Sequence, residues 1–170
     1  VVLCAAPDRA HPAFQRLQEE QHVQMTEQGS GDLGARMDRA FQKAFVLHDR
    51  VLLMGMDAPA LSSSVLHHAL QLLDAPQSSE DSNTAHAHEV VDAVFVPALD
   101  GGYALVGLRR ECLALFIDMP WSTPQVMAIT RQRAEESGLR YTELPAVADI
   151  DEPQDLVHLP AGWMACAAAS

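Results

Sequence analysis

Apolar residues in this chain fall into short continuous runs separated by stretches of helical period, an alternation that predicts an α/β domain. Val1–Ala6 reads as a buried strand ended by Pro7-Asp8, and Val51–Met54, Val90–Pro97, Tyr103–Leu108 and Arg140–Leu144 read as further strands. Runs that are apolar throughout suit parallel strands covered on both faces. His22–Met25 alternates like a short strand before the glycine-rich stretch Gln28–Gly34. Ala13–Glu20 has a weak helical pattern and residues 32–48 a strong one, with Leu33, Met37, Ala40, Phe41, Ala44 and Phe45 at three- and four-residue spacing. Asp32 stands near the start of that helix, where the macrodipole favours an anion. Ser62–Ser64 offer caps for a helix through Leu73 that buries Val65, Leu66, Ala69, Leu70 and Leu73. Cys112–Phe116 reads as a helical turn. Trp121-Ser-Thr-Pro opens a helix to about Ser137, capped by Ser122 or Thr123 with Pro124 in its first turn and ended by Gly138. These elements imply a three-layer α/β/α sandwich on a mainly parallel sheet with one antiparallel element.

Composition narrows the partners. With 170 residues, 48% of them hydrophobic, the chain is sized for one domain, here residues 1–157. Residues 76–89 lack an apolar period and read as a flexible insertion, and residues 158–170 as an Ala-rich tail. Acidic residues outnumber basic ones by 23 to 11, giving a formal charge of −12, and the basic residues do not cluster. Nucleic acid is therefore not an expected partner. Cys4, Cys112 and Cys166 form no C-x-x-C pair and fit reduced thiols. No apolar run reaches the length of a membrane span, and the expected location is the cytoplasm. The chain opens without Met and directly on a strand, so a preceding segment is expected.

Candidate chemistry lies in carboxylates. Asp57 follows the apolar run Val51–Met54, where a strand's carboxyl end opens a ligand crevice in α/β sheets; it reads equally as a cap for the helix near Ser62. Asp100-Gly-Gly between two apolar runs is either a hairpin turn or a place where a ligand lies against bare backbone. Asp149 and Asp151 lie two apart and share a face if extended. Topology sets Asp57, Asp100, Asp149 and Asp151 along one sheet edge, an all-oxygen donor set suited to Mg²⁺ or Mn²⁺. His67 and His68 are adjacent and point apart, so they read as solvated. His86 and His88 supply two ligands at most.

Five ordered blocks carry a resemblance: Gln28-Gly-x-Gly-Asp-Leu-Gly-x-Arg-Met37, Gly55-x-Asp-x-Pro-x-Leu61, Asp100-Gly-Gly-Tyr103 with Gly107-Leu108, Phe116 with Trp121-Ser122, and Asp149-x-Asp-x-Pro-x-Asp-Leu156. Together they resemble the bacterial glycosyltransferase-A-like family of radical-SAM/selenodomain-associated transferases, a domain of unknown function. The resemblance implies a nucleotide-diphospho-sugar transferase fold over residues 1–157, related to sugar-nucleotide, molybdopterin and phospholactate nucleotidyltransferases. It implies that Gln28, Gly29, Gly31, Asp32, Leu33, Gly34 and Arg36 meet the nucleotide, and that Gly101, Gly102, Tyr103, Trp121 and Ser122 meet the sugar or acceptor. Asp57, Asp149 and Asp151 would hold the metal, with Asp57 and Asp100 as catalytic carboxylates.

The family usually begins with a strand and a Lys-containing glycine loop for the nucleotide phosphates. This chain begins at what resembles the second strand, so an N-terminal truncation is expected; Arg9 and Arg36 are the cations nearest the acid edge. The functional expectation is a metal-dependent glycosyl- or nucleotidyltransferase acting on a nucleotide-diphosphate donor and a small-molecule acceptor. The alternative is a degenerate nucleotide-binding module of the same fold. Because the glycine stretch is read as a loop outside the core, a bulky side chain at Gly34 should remove nucleotide binding and leave the cooperative melt intact.

Overall fold

In the computed structural model, which describes residues 1–6, 10–74, 91–160 and 163, the elements follow the order β1 (Val2–Ala5), α1 (Pro12–Gln21), β2 (Gln24–Glu27), α2 (Leu33–Phe45), β3 (Val51–Met54) and α3 (Ser63–Leu72). Then come β4 (Ala93–Pro97), β5 (Tyr103–Leu108), a 3₁₀ turn (Leu113–Leu115), α4 (Val126–Glu136), β6 (Tyr141–Glu143) and a second 3₁₀ turn (Pro153–His158). The insertion 76–89, Pro7-Asp8, Arg9, Cys166 and most of the tail lie outside the described residues.

The main sheet has the order β3-β5-β4-β6. β5 runs antiparallel to both neighbours while β4 and β6 are parallel, so β5 is the antiparallel element of the sheet. β1 and β2 form a separate parallel pair. β4 and β5 are buried along nearly their whole length, and alternate residues feed two cores. Ala93 and Phe95 face α2 and α4 with Phe41, Phe116, Met127 and Ala134; Val94 and Val96 face α3 with Ala69 and Leu73. Helices on both sides of the sheet give the three-layer sandwich.

A slip in the β4–β5 register decides one side chain that matters later. Val96 pairs with Leu105, but Pro97 pairs with Tyr103, which leaves Ala104 as an extra residue. Ala104 and Leu105 therefore face the same core, and Tyr103 is turned to the α2/α4 side.

Three sequence expectations change. β1 and β3 are not covered strands: Val2 is 51% exposed, β3 is only partly buried, and the partner of β3 is the antiparallel β5. The physical reason is position, since among the described residues each of these strands pairs on one edge only. The second strand is Gln24–Glu27, two residues later than its alternation indicated, because His22 takes a left-handed conformation (φ 51°) that ends α1. Helix α4 starts at Val126 with no side-chain cap; the Thr123 hydroxyl donates instead to the Pro120 carbonyl at 2.8 Å. Its other end is as expected. Leu139 N–H reaches the Ala134 carbonyl and Gly138 N–H the Glu135 carbonyl, with Gly138 at φ 62°.

Phe41 sits at the centre of the α2/α4 core, 1% exposed, stacked on Phe45 at 5.9 Å and on Phe116 at 5.6 Å. Phe41→Ala should lower stability by about 3–5 kcal/mol, read as a shift in the urea midpoint. A shift below about 1 kcal/mol would mean that the cavity collapses and the aromatic stack is dispensable.

Candidate functional site

The acid edge is assembled from three separated segments. Asp57 follows β3, Asp100 sits in the β4–β5 turn, and Asp149 and Asp151 follow β6. Backbone hydrogen bonds tie the segments together: Ile150 N–H donates to the Asp57 carbonyl at 2.9 Å, Leu99 N–H to the Val147 carbonyl at 3.0 Å, and Val147 N–H to the Pro97 carbonyl at 2.9 Å. Burial raises the Asp149 pKa above the ordinary carboxylate value, and the charges of Asp100, Asp151 and Asp57 push it further the same way. The four acids thus share one electrostatic neighbourhood. They are gathered but not closed: among the described residues no three His, Cys, Asp or Glu side chains are grouped to hold an ion.

Local bonds aim each acid. The Asp57 carboxylate folds back over Gly55, where any Cβ would collide with its Oδ1. Cap duty for α3 falls to Ser62, whose hydroxyl accepts from Val65 N–H, so the helix-cap reading of Asp57 does not hold. The Asp155 carboxylate accepts from Asp151 N–H at 3.1 Å and Glu152 N–H at 2.8 Å, fixing the turn that follows Asp149 and Asp151. Asp100-Gly-Gly is a hairpin turn: Asp100 Oδ1 accepts from Gly102 N–H at 2.8 Å, and Gly101 adopts φ 96°. A Cβ on Gly101 would also strike the Pro124 backbone, so both its conformation and its neighbour require glycine.

The glycine stretch divides into a loop and a helix start. Gln28 Nε2 donates to the Cys4 carbonyl at 3.1 Å, tying the loop to β1. Gly29 and Gly31 have φ of 82° and 100°. Asp32 is the N-cap of α2, its carboxylate accepting from Ala35 N–H at 2.8 Å, and Leu33 is 47% exposed. Arg36 Nε donates to the Gly31 carbonyl at 2.9 Å. Gly34 is not a loop residue. It lies buried in the first turn of α2, where a Cβ would collide with the Phe116 carbonyl oxygen and press on the Trp121 indole nitrogen. The expectation that Gly34 can be changed without harm to the fold is therefore corrected, because the helix packs directly on another segment's backbone there.

Aromatic contacts link this loop to the acids. Trp121 meets Tyr103 edge-on at 6.3 Å, and Tyr103 directly follows the Asp100-Gly-Gly turn. The Tyr103 hydroxyl reaches the Met37 sulfur at 3.9 Å, and burial raises its pKa. The indole N–H of Trp121 is buried with no acceptor among the described residues, and its neighbour Ser122 is held at φ 60°. Two hollows of about 300 and 240 Å³, lined by residues such as His48 and Arg50 or Gln15 and Met25, lie away from this line of contacts.

Residues 1–123 match the family described as "Uncharacterized protein conserved in bacteria (DUF2064)". The chain belongs to the DUF2064 family. Among solved structures, a crystal structure described as a "putative nucleotide-diphospho-sugar transferase" from Desulfovibrio desulfuricans G20 is similar to it, with 30% identity and a TM-score of 0.74. The similarity covers 91% of this chain and 62% of that one, so this DUF2064 chain spans less than two thirds of its neighbour's length. The fold is that of nucleotide-diphospho-sugar transferases. No curated protein matches the chain. No helix among the described residues is long and apolar enough to cross a membrane.

Two arginines of this DUF2064 domain escape a reading by motif. Arg39 binds the carbonyls of Gln28 and Ser30, and Arg133 binds those of Ala114, Ile117 and Asp118, fixing the turn before Trp121. The one signal for Arg39 was its spacing from Arg36, three residues along one helix face.

Because Asp149 is harder to ionise in the folded chain, the folded state holds its proton more tightly than the unfolded state, and the associated stability is lost as pH rises through the raised folded pKa. Without divalent cations, Asp149→Asn should raise the melting temperature at pH 7, with the advantage shrinking as pH falls toward the ordinary value of 3.8. A variant that melts lower than wild type at pH 7 would rule out net repulsion at this edge. Gly34→Val should destabilise the ligand-free chain by roughly 1–3 kcal/mol or more. An unchanged urea midpoint would place Gly34 outside the packed layer.

Proposed function

We propose that this chain is a metal-dependent transferase that takes a glycosyl or nucleotidyl group from a nucleotide-diphosphate donor to a small-molecule acceptor. The observation that carries the reading is the set of backbone bonds that draws the Asp57, Asp100 and Asp149–Asp151 segments, far apart in sequence, to one edge, where the charges of the other three acids add to the effect of burial on Asp149. Carboxylates gathered so that they perturb one another's ionisation cluster at functional sites. The family resemblance and the similarity to the Desulfovibrio structure support the same reading. So does the resemblance to radical-SAM/selenodomain-associated transferases.

In this reading Gln28, Gly29, Gly31, Asp32, Leu33 and Arg36 receive the nucleoside, with Gly34 setting the helix against Phe116. Asp57, Asp149 and Asp151 would hold Mg²⁺ or Mn²⁺; an all-carboxylate donor set fits a hard cation and not zinc. A bound divalent ion supplies neutralisation of charge on the donor's diphosphate. Asp100 keeps one carboxylate oxygen on Gly102 N–H and presents the other to the acceptor hydroxyl, where it can take a proton. Gly101, Gly102, Tyr103, Trp121 and Ser122 shape the sugar or acceptor side. The acceptor is a small molecule and the location the cytoplasm.

The open spacing of the carboxylates favours a second reading, a catalytically silent module that binds nucleotide without turnover. One experiment addresses both. Melting curves with Mn²⁺ and a panel of nucleoside diphosphates and nucleotide sugars should show stabilisation of roughly 2.7 kcal/mol at about 100 times the dissociation constant. Asp57→Asn should abolish the Mn²⁺-dependent part of that shift. Donor hydrolysis or transfer in the same samples identifies the enzyme; binding without turnover identifies the silent module. If no ligand shifts the melt, both readings fail.

A further inference from the structure

The bonding of Arg39 goes beyond what the proposed function requires of the loop. It projects from α2 toward residues 28–30, where its Nη1 donates to the Gln28 carbonyl at 2.5 Å and its Nη2 to the Ser30 carbonyl at 2.9 Å. Between these two carbonyls lies Gly29, where a Cβ would stand 2.6 Å from the same Nη1, so the guanidinium lies against bare backbone. Arg36 adds a bond to the Gly31 carbonyl at 2.9 Å. Neither arginine forms an ion pair with a carboxylate among the described residues, in a chain with 23 acidic residues and 11 basic ones.

An arginine in such an acidic chain that bonds carbonyls is held there for shape. Its planar fork can bridge two acceptors at fixed separation, which a lysine ammonium cannot reproduce. The loop needs such a bridge, since Gly29 and Gly31, at φ 82° and 100°, bring the conformational freedom of glycine to the segment that is to meet the nucleotide. Ordering that backbone before the ligand arrives removes a cost that binding would otherwise bear.

We propose that Arg39 is a positioning residue for nucleotide recognition: it touches the loop and not the ligand, and holds residues 28–31 in the receiving conformation. This rests on the nucleotide-binding reading of the loop. The test compares wild type, Arg39→Met and Arg39→Lys. The readouts are thermal melting with and without a nucleoside diphosphate panel plus Mn²⁺, and amide hydrogen exchange across the chain. Arg39→Met should bind nucleotide about tenfold more weakly or worse, since even one of the two charge-assisted hydrogen bonds it removes is worth that much. Its exchange should rise across residues 28–35 and not across β4 or β5. Arg39→Lys should recover only part of the binding, because it restores charge without the fork. If both variants bind as tightly as wild type, the role is overturned while the nucleotide reading stands. It is also overturned if exchange rises throughout the chain and binding falls only in step with global stability. If wild type itself binds no nucleotide, the reading of the loop fails and this role fails with it.

Discussion

Two-sided burial of β4 and β5 is the constraint on which the remaining elements depend. β4 feeds one core through odd residues and the other through even ones, and β5 does the same up to the slip at Ala104, so α2 and α4 pack on one face and α3 on the other. The hairpin also delivers chemistry. Its turn carries Asp100 to the acid edge, and the extra residue Ala104 rotates Tyr103 onto the face where Trp121 meets it. A strand pair in perfect register would turn Tyr103 to the α3 side, because side chains alternate with a period of two and a one-residue slip moves each to the opposite face.

Charge is distributed with the same economy. The acid edge collects like charges that add to the cost of ionising Asp149, while Arg36, Arg39 and Arg133 bond to carbonyls and form no ion pair among the described residues. Other arginines are paired in the ordinary way, as Arg131 is with Glu143 through two bonds of 2.6 and 2.8 Å. That pair is partly exposed and adds little to stability, though it holds Glu143 below the usual carboxylate range. The arginines bound to carbonyls shape the segments beside the candidate site, and the paired one joins α4 to β6.

Gly34 couples the site to the core. By letting α2 lie directly on the Phe116 carbonyl and beside the Trp121 ring, it joins the helix that follows the glycine loop to the segment that Arg133 fixes. The Trp121 indole N–H is buried without an acceptor among the described residues, and Ser122 next to it takes a left-handed backbone conformation. Both lie beside Tyr103, whose ring Trp121 meets edge-on.

Much of this was legible in the residues themselves. The apolar runs gave the strands, the three- and four-residue spacing of Leu33 to Phe45 gave α2, and Asp32, Ser62 and Gly138 marked helix ends, because caps and periodicity are local properties of a short segment. The placing of Asp57, Asp100, Asp149 and Asp151 along one edge was also accessible, since residues that follow parallel strands are delivered to the same end of a sheet. Tertiary structure alone decided the rest. Whether a run such as Val51–Met54 is a covered strand or an edge depends on which strands pair beside it, and the bulge at Ala104 depends on two strands at once. The meaning of Gly34 lay in Phe116 and Trp121, more than eighty positions away, and that of Arg39 in carbonyls that every residue carries. Backbone acceptors have no letter in the sequence, so the bonds that shape this site become visible only when the chain is folded.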